Sequence, residues 1–251
     1  MSDLSDITAV ILAGGLGTRL RGVVSDRPKV MAEINGRPFL SHLLDQLAKA
    51  GIGRVVVSTG YMAGYIEEHI GLKQNNGLLI DYSREGRPLG TGGALKLAGH
   101  MLDTKYCLVM NGDSYAEFDP VSLLTAHEKS SAKITLVVKA VVDSSRYGTV
   151  RMGEDNTIKA FTEKSGVTEG GLVNAGIYLI NTTELQEIPG EKPCSLEYDF
   201  FPRMTGKGLY GCEISGRFID IGTPKSYMLA EKFFREPTCI SLENRSLKTD
   251  H

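Results

Sequence analysis

Apolar residues recur along the chain in short blocks separated by polar, glycine-rich punctuation. The block at residues 7–12 is continuous, rich in β-branched residues, and runs into Ala13-Gly14-Gly15-Leu16-Gly17. A run of that length ending in glycines predicts a buried strand followed by a tight loop. After Pro38 the period changes: Leu40, Leu43, Leu44 and Leu47 fall on one face of a helix that Gly51 ends. Residues 54–58 predict a second strand. Met62, Ile66 and Ile70 mark a second amphipathic helix, and residues 78–82 a third strand. A third helix over 94–102 is entered through Gly90-Thr91-Gly92-Gly93, and a fourth strand (106–110) and helix (121–129) follow. Strands alternating with helices at this spacing predict βαβ units around a mostly parallel sheet.

The second half has a different rhythm. Residues 134–142, 148–152, 157–162 and 172–180 read as strands joined by turns, an antiparallel-leaning insertion, and 194–203 and 224–234 read as closing helices. The expected class is α/β: a Rossmann-like, mostly parallel mixed sheet flanked by helices. One domain is expected over 1–234, with halves at about 7–130 and 131–234, and a polar tail over 235–251. Neither an internal repeat nor a low-complexity linker interrupts it.

Composition narrows the function classes. With 41% apolar and 23% charged residues the chain can bury an ordinary core. A net charge of -2 without a basic run argues against nucleic acid as a partner. The five histidines are scattered, and Cys107, Cys194, Cys212 and Cys239 lack metal-ligand spacing, so free thiols in a reducing cytosol are expected. The leader 1–6 is unlike a signal peptide, and no apolar run reaches transmembrane length. The expectation is a cytoplasmic protein with no membrane partner.

Candidate chemistry follows from where the punctuation falls. In open α/β sheets, ligands sit beyond the carboxyl ends of the strands. Four unusual segments occupy such ends: 14–19, Thr59-Gly60-Tyr61, 84–93 and Asn111-Gly112-Asp113. Each alone could be a turn; four on one edge point to a site. Glycines let backbone N–H groups approach a phosphate, and cations that follow neutralise it. Two better-known phosphate loops do not fit. Gly17 and Gly22 have Walker spacing, but Val23 and Val24 stand where Lys and Ser or Thr are required. The dinucleotide fingerprint needs a third glycine where Leu20 stands, and an acid where Ser58 and Thr59 stand.

The loop instead resembles the signature of the sugar-1-phosphate nucleotidyltransferase family, which has the nucleotide-diphosphosugar transferase fold. The resemblance rests on Gly14-Gly15-Leu16-Gly17-Thr18-Arg19-Leu20 with Pro28-Lys29, and on Pro88-Leu89-Gly90-Thr91-Gly92-Gly93-Ala94 and Asn111-Gly112-Asp113. Tyr147-Gly148, Glu163-Lys164, Asn174-Ala175-Gly176-Ile177-Tyr178 and Phe218-Ile219-Asp220-Ile221-Gly222-Thr223-Pro224 extend it to all but the leader and the tail. It implies in-line attack of a sugar 1-phosphate oxygen on the α-phosphorus of a nucleoside triphosphate. Such a nucleophile is already ionised at neutral pH, so alignment and charge neutralisation are the task, and a catalytic His or Cys is not needed.

The resemblance also implies roles. Arg19 and Lys29 would be the catalytic cations, and Leu12, Ala13, Gly14, Gly15, Gly17, Thr18, Gly90, Thr91 and Gly112 would line the nucleotide. Asp113 and Asp220 would hold Mg²⁺, which favours oxygen ligands and a partly hydrated shell. The bland alternatives are a turn aspartate and an aspartate near a helix start. Glu163 and Asn174 would bind sugar hydroxyls and Lys164 the sugar phosphate. Tyr147 and Gly148 would shape that pocket, in even competition with a simple turn of the inserted sugar-binding sheet.

Glu85 bears on the base. Guanine presents an N1–H and an N2 amino group side by side to a carboxylate, whereas uracil and thymine flank one N–H with two acceptors. GTP is therefore favoured if Glu85 faces the base; an exposed loop glutamate is the competitor. The short build, Arg37-Pro38-Phe39-Leu40 and Arg146-Tyr147-Gly148-Thr149-Val150 are similar to the D-glycero-α-D-manno-heptose 1-phosphate guanylyltransferases of capsule and surface-polysaccharide synthesis. Mannose-1-phosphate guanylyltransferases are the runner-up, and uridylyl or thymidylyl enzymes come after them. A non-catalytic sugar-nucleotide sensor is the alternative from another class, disfavoured by the presence of Arg19, Lys29, Asp113 and Asp220 together. A homodimer is an expectation by analogy alone.

Overall fold

The computed structural model describes residues 4–74, 76–162, 170–190 and 192–236. Strand β1 (Ile7–Leu12) leads through the glycine loop to a short hairpin, β2 (Glu33–Ile34) and β3 (Arg37–Pro38). Helix α1 (Phe39–Lys49), β4 (Arg54–Thr59), α2 (Ala63–Ile70), β5 (Leu79–Arg84), α3 (Gly90–Gly99) and β6 (Tyr106–Asn111) then alternate. Next come β7 (Ser114–Ala116), α4 (Pro120–Lys129), β8 (Ile134–Val141), β9 (Thr149–Met152), β10 (Ile158–Thr162) and β11 (Gly171–Asn181). A π-helical turn over Leu196–Phe200 enters α5 (Phe201–Met204), and β12 (Leu209–Glu213), β13 (Phe218–Asp220) and α6 (Pro224–Arg235) follow.

The first half forms a parallel sheet in the order β5-β4-β1-β6. The chain builds outward from β1 through β4 to β5, then crosses back to place β6 on the other side of β1. That reversal puts a topological switch point at the carboxyl ends of β1 and β6. The second half continues the same sheet: β11 runs antiparallel to β6, β8 and β9 pair with β11, and β12 runs parallel to β8. The nine-stranded result is mixed: the expected βαβ region is parallel, and in the second half β12 on β8 adds one further parallel pair among antiparallel ones.

Two cores cover its faces because strand side chains alternate with period two. Ile7, Ala9 and Ile11 of β1 join Val55 and Val57 of β4 in the core under α1 and α2. Val10, Val56, Cys107 and Val109 point the other way, to α3 and the 196–204 helical segment. Helix α1 shows the matching helical logic. Phe39, Leu40, Leu43, Leu44 and Leu47 are fully buried, each contributing about 1.5–3 kcal/mol. Gly51 ends the helix in the left-handed region at φ 87°.

Two elements depart from the sequence expectations. No element is expected at 209–213, between the helices at 194–203 and 224–234, yet Leu209–Glu213 is a strand because β8 offers it a free edge. The helix expected from 194 begins at Leu196, and Cys194 is extended against α3.

Candidate active site

The four punctuated segments meet at one edge. The Gly112 N–H donates to the Leu12 carbonyl at 2.9 Å, and a Cβ on Gly112 would stand 2.6 Å from that oxygen. The Glu85 N–H donates to Thr59 O at 2.8 Å, and Tyr61 N–H to Gly14 O at 3.4 Å. Gly14 packs directly against the Glu85 carboxylate, and a Cβ there would push that side chain aside. At Gly90, with φ 75°, a Cβ would meet Cys194 O at 2.5 Å; the start of α3 is docked on Cys194.

Three cavities open here. One of about 210 Å³ is lined by Leu12, Ala13, Gly15, Gly17, Thr18, Arg19 and Lys29. Another, about 310 Å³, lies between Gly14, Glu85, Pro88, Gly90, Thr91 and Gly112. The largest, about 800 Å³, is walled by Tyr147, Gly148, Asn174, Glu197, Phe161 and Asp220. Asp113 lines all three.

Asp113 and Asp220, 107 residues apart by their numbers (220 − 113), are brought together by the ladder of β7 and β13, in which Asp220 pairs with Ser114. The Ile221 N–H donates to Asp113 O at 2.9 Å and closes that ladder. Each carboxylate holds a cation. Lys29 Nζ lies 2.5 Å from Asp113 Oδ2, and Arg146 Nη2 lies 2.8 Å from Asp220 Oδ2. Burial would raise the Asp113 carboxyl, but the Lys29 charge and hydrogen bond, the Ser114 hydroxyl and the Arg19 charge together hold it below its ordinary value. Burial, then the hydrogen bond to Asp220, pushes the Tyr147 phenol up. Arg19 is exposed on the rim shared by two cavities, with no side-chain partner among the described residues.

Glu85 is half-buried rather than an exposed loop residue. Its Oε2 accepts from the Leu89 N–H at 2.8 Å, and burial raises its carboxyl above the usual value, partly offset by that bond. Asn174 sits at a β-bulge of β11. The register slips between Asn174 and Tyr178, where Gly176 adopts φ 75° against Asn111. Its Oδ1 accepts from the Gly176 N–H and its Nδ2 donates to Tyr178 OH, both at 2.9 Å. Glu163 and Lys164 lie outside the described residues, as does Cys239; Cys107, Cys194 and Cys212 are free.

Several wall residues were given no role from the sequence. Glu197 accepts from Tyr178 OH at 3.1 Å, Thr91 Oγ1 at 3.1 Å and Ser195 Oγ at 3.0 Å, tying α3 to the large cavity. Nothing local in Ser195-Leu196-Glu197 marks it. Asn111 precedes the Gly112-Asp113 motif and lines two of the cavities, and its buried Oδ1 has no hydrogen-bond partner among the described residues. Arg146 stands beside Tyr147, but its partner is distant in sequence.

No helix among the described residues is long and apolar enough to cross a membrane. The chain is 39% identical over 225 residues to the D-glycero-alpha-D-manno-heptose 1-phosphate guanylyltransferase of Aneurinibacillus thermoaerophilus, covering 89% of this chain and 96% of that protein. It is 35% identical to the mannose-1-phosphate guanylyltransferase of Mycobacterium tuberculosis (strain ATCC 25618 / H37Rv), covering 88% of this chain but only 63% of that protein. The crystal structure of HddC from Yersinia pseudotuberculosis complexed with GMP-PN superposes with a TM-score of 0.81 at 36% identity, covering 90% of this chain and 99% of that one. Residues 8–236 match the family described as nucleotidyl transferase, and with the glycine loop, the switch-point cavities and the paired carboxylates in place, the chain belongs to that family of nucleotide-transferring enzymes.

Proposed function

We propose that the enzyme transfers a guanylyl group from GTP to D-glycero-α-D-manno-heptose 1-phosphate, giving GDP-heptose and pyrophosphate. The observation that carries the reading is the place of Asp113, where two cavities under the glycine loop meet the largest one. A triphosphate in the first two and a sugar phosphate in the third would bring their reacting atoms together at that carboxylate. Heptose is favoured over mannose by the 39% identity to the Aneurinibacillus thermoaerophilus heptose 1-phosphate enzyme, against 35% to the Mycobacterium tuberculosis mannose-1-phosphate enzyme.

In the reaction a sugar phosphate oxygen bonds to the α-phosphorus of GTP, and the bond to the β-phosphate oxygen breaks. N–H groups of Gly14, Gly15, Gly17 and Thr18 and the exposed Arg19 receive the outer phosphates, where Arg can make two parallel contacts. Lys29, on the cavity floor, neutralises charge at the reacting phosphate. Glu85, with Gly90 and Thr91, reads the guanine edge. Asn174, Tyr147 and Gly148 shape the sugar site, and Glu163 and Lys164 complete it for hydroxyls and phosphate. Asp113, in the turn just before β7, and Asp220, at the end of β13, are oxygen donors joined by the β7–β13 ladder. They would hold Mg²⁺, with phosphates and water completing its shell. When bound, such an ion neutralises phosphate charge. A cytoplasmic enzyme supplying surface-polysaccharide synthesis fits the same reading.

The test is pyrophosphate release over a grid of four triphosphates and several sugar phosphates. Turnover greatest with GTP and heptose 1-phosphate supports the proposal. A preference for mannose 1-phosphate corrects the sugar, and a preference for another base rejects the role of Glu85. Release with no pair rejects the enzyme and leaves a sugar-nucleotide sensor.

A further inference from the structure

Asp220 is saturated with donors. Its Oδ1 accepts from the Gly222 N–H at 2.6 Å and lies 3.2 Å from both Ser226 Oγ and Arg146 Nη2. Its Oδ2 accepts from Tyr147 OH at 2.6 Å and from the same Arg146 Nη2 at 2.8 Å. Two carboxylate oxygens offer about four lone-pair sites, and these four donors fill them. Asp113 differs: among the described residues, Lys29 Nζ reaches its Oδ2 and the Ser114 hydroxyl its Oδ1, and nothing further. Asp113 can accept a metal ion as it stands; Asp220 cannot until a donor leaves.

The neighbours identify which donor leaves. The Gly222 N–H is backbone, and Ser226 is buried, locked in a reciprocal capping box with Thr223 at the start of α6. Tyr147 is half-buried and packs on the Phe218 ring, with centroids 5.6 Å apart. Arg146 is exposed and lies on the wall of the 800 Å³ cavity.

We propose that Arg146 is a stand-in cation. It closes Asp220 in the ligand-free enzyme and, on loading, moves from that carboxylate to the phosphate of the incoming sugar phosphate. The inference rests on the reading of Asp113 and Asp220 as the metal-holding pair. Charge supports it: Lys29 pairs with Asp113 and Arg146 with Asp220, so the two cations balance the two carboxylates. Once the carboxylates have a divalent partner, both side chains are free to neutralise phosphate. Arginine suits the second position, because its planar fork matches phosphate oxygens in pairs. The exchange makes the cleft resist a bare cation and accept one that arrives with phosphate. Arg146 thus couples metal and substrate binding.

The probe is Mn²⁺ binding to the full chain, followed by the electron-spin-resonance signal of free Mn²⁺, without nucleotide and then with a non-hydrolysable GTP analogue. Arg146→Gln removes the competing cation. It is expected to tighten Mn²⁺ binding to the nucleotide-free protein about tenfold or more, the scale of one lost charge-assisted hydrogen bond. It is also expected to raise the KM for sugar phosphate more than that for GTP. Unchanged or weaker Mn²⁺ binding overturns the proposal and leaves Arg146 a structural brace. Arg146→Lys keeps the charge and should bind Mn²⁺ weakly, as wild type does; tight binding by this variant also overturns it. Asp220→Asn isolates the underlying reading. Full Mn²⁺ affinity in that variant with the GTP analogue present means Asp220 is no ligand, and the metal assignment falls together with the proposal. Weakened affinity there, combined with no effect of Arg146→Gln, sinks the exchange alone.

Discussion

Arg19 and Glu85 occupy opposite environments, and their substitutions should read out differently. Arg19 is exposed and unpartnered among the described residues, so Arg19→Ala should leave the unfolding midpoint within about 0.5 kcal/mol of wild type. It should lower kcat/KM by about 10²–10³-fold, the usual effect of losing one transition-state donor. Near-normal turnover in a folded variant would reject its phosphate role. Glu85 is half-buried with a raised carboxyl pKa. An acid whose folded value exceeds its unfolded value favours the fold when protonated, and that contribution is lost as pH rises through the folded value. At pH 7, Glu85→Gln should therefore leave the ligand-free protein at least as thermostable as wild type, with the advantage shrinking as pH falls toward 4. The same variant should lose discrimination for GTP over other triphosphates. A lower melting temperature at pH 7 with base preference intact would assign Glu85 to loop structure alone.

The element that carries most consequence is the two-stranded ladder of β7 and β13, because it sets the carboxylate pair. Its lock is an ion pair. Glu117, 3% exposed, accepts from Arg217 Nη2 at 2.6 Å and Nε at 3.0 Å, while Arg217 Nη1 donates to Phe233 O of α6 at 3.0 Å. Removing one partner strands a buried charge. Arg217→Met should cost about 3–5 kcal/mol in urea unfolding, and Glu117→Gln introduced with it should recover a large part. Turnover should fall in the single variant even where it remains folded, since the register opposing Asp220 to Ser114 is loosened; a stable, fully active Arg217→Met would show that the ladder holds without the pair. Helix α6 adds an apolar clamp, with Phe234 stacked on His42 at 4.2 Å and edge-on to Tyr115 at 4.8 Å. The ladder itself was only half legible: residues 218–220 could be read as a strand end, but three residues at 114–116 carry no period of their own.

For the whole molecule, the cores on the two sheet faces are apolar and include neither Asp113 nor Asp220. Chelation of divalent cations should abolish pyrophosphate release, and added Mg²⁺ should restore it. Far-ultraviolet circular dichroism and the melting temperature of the ligand-free protein should stay unchanged throughout. A fall in melting temperature on chelation would mean that a metal supports the fold. Fold class, the order of the first four βα pairs and the glycine loop were legible because each depends on residues within a turn or two of one another. Boundaries moved by a few residues: α3 begins at Gly90 rather than Ala94, since a glycine at φ 75° turns the chain into the helix against Cys194.

By itself, then, the sequence determined which segments alternate at period two or 3.6, where glycine must stand, and which loop chemistry lies at the strand ends. Those are local properties, set by side-chain spacing and backbone sterics. The tertiary structure decided who meets whom. Leu209–Glu213 became a strand through pairing with β8, Arg146 found Asp220 across 74 positions, and Thr91 found Glu197 across 106. Hydrogen bonds and ion pairs over such separations depend on how the sheet is ordered and how its edges are closed. Many pairings satisfy the same local pattern, and only the packed fold selects the one in which buried Glu117 meets Arg217 and buried Asp220 meets Arg146.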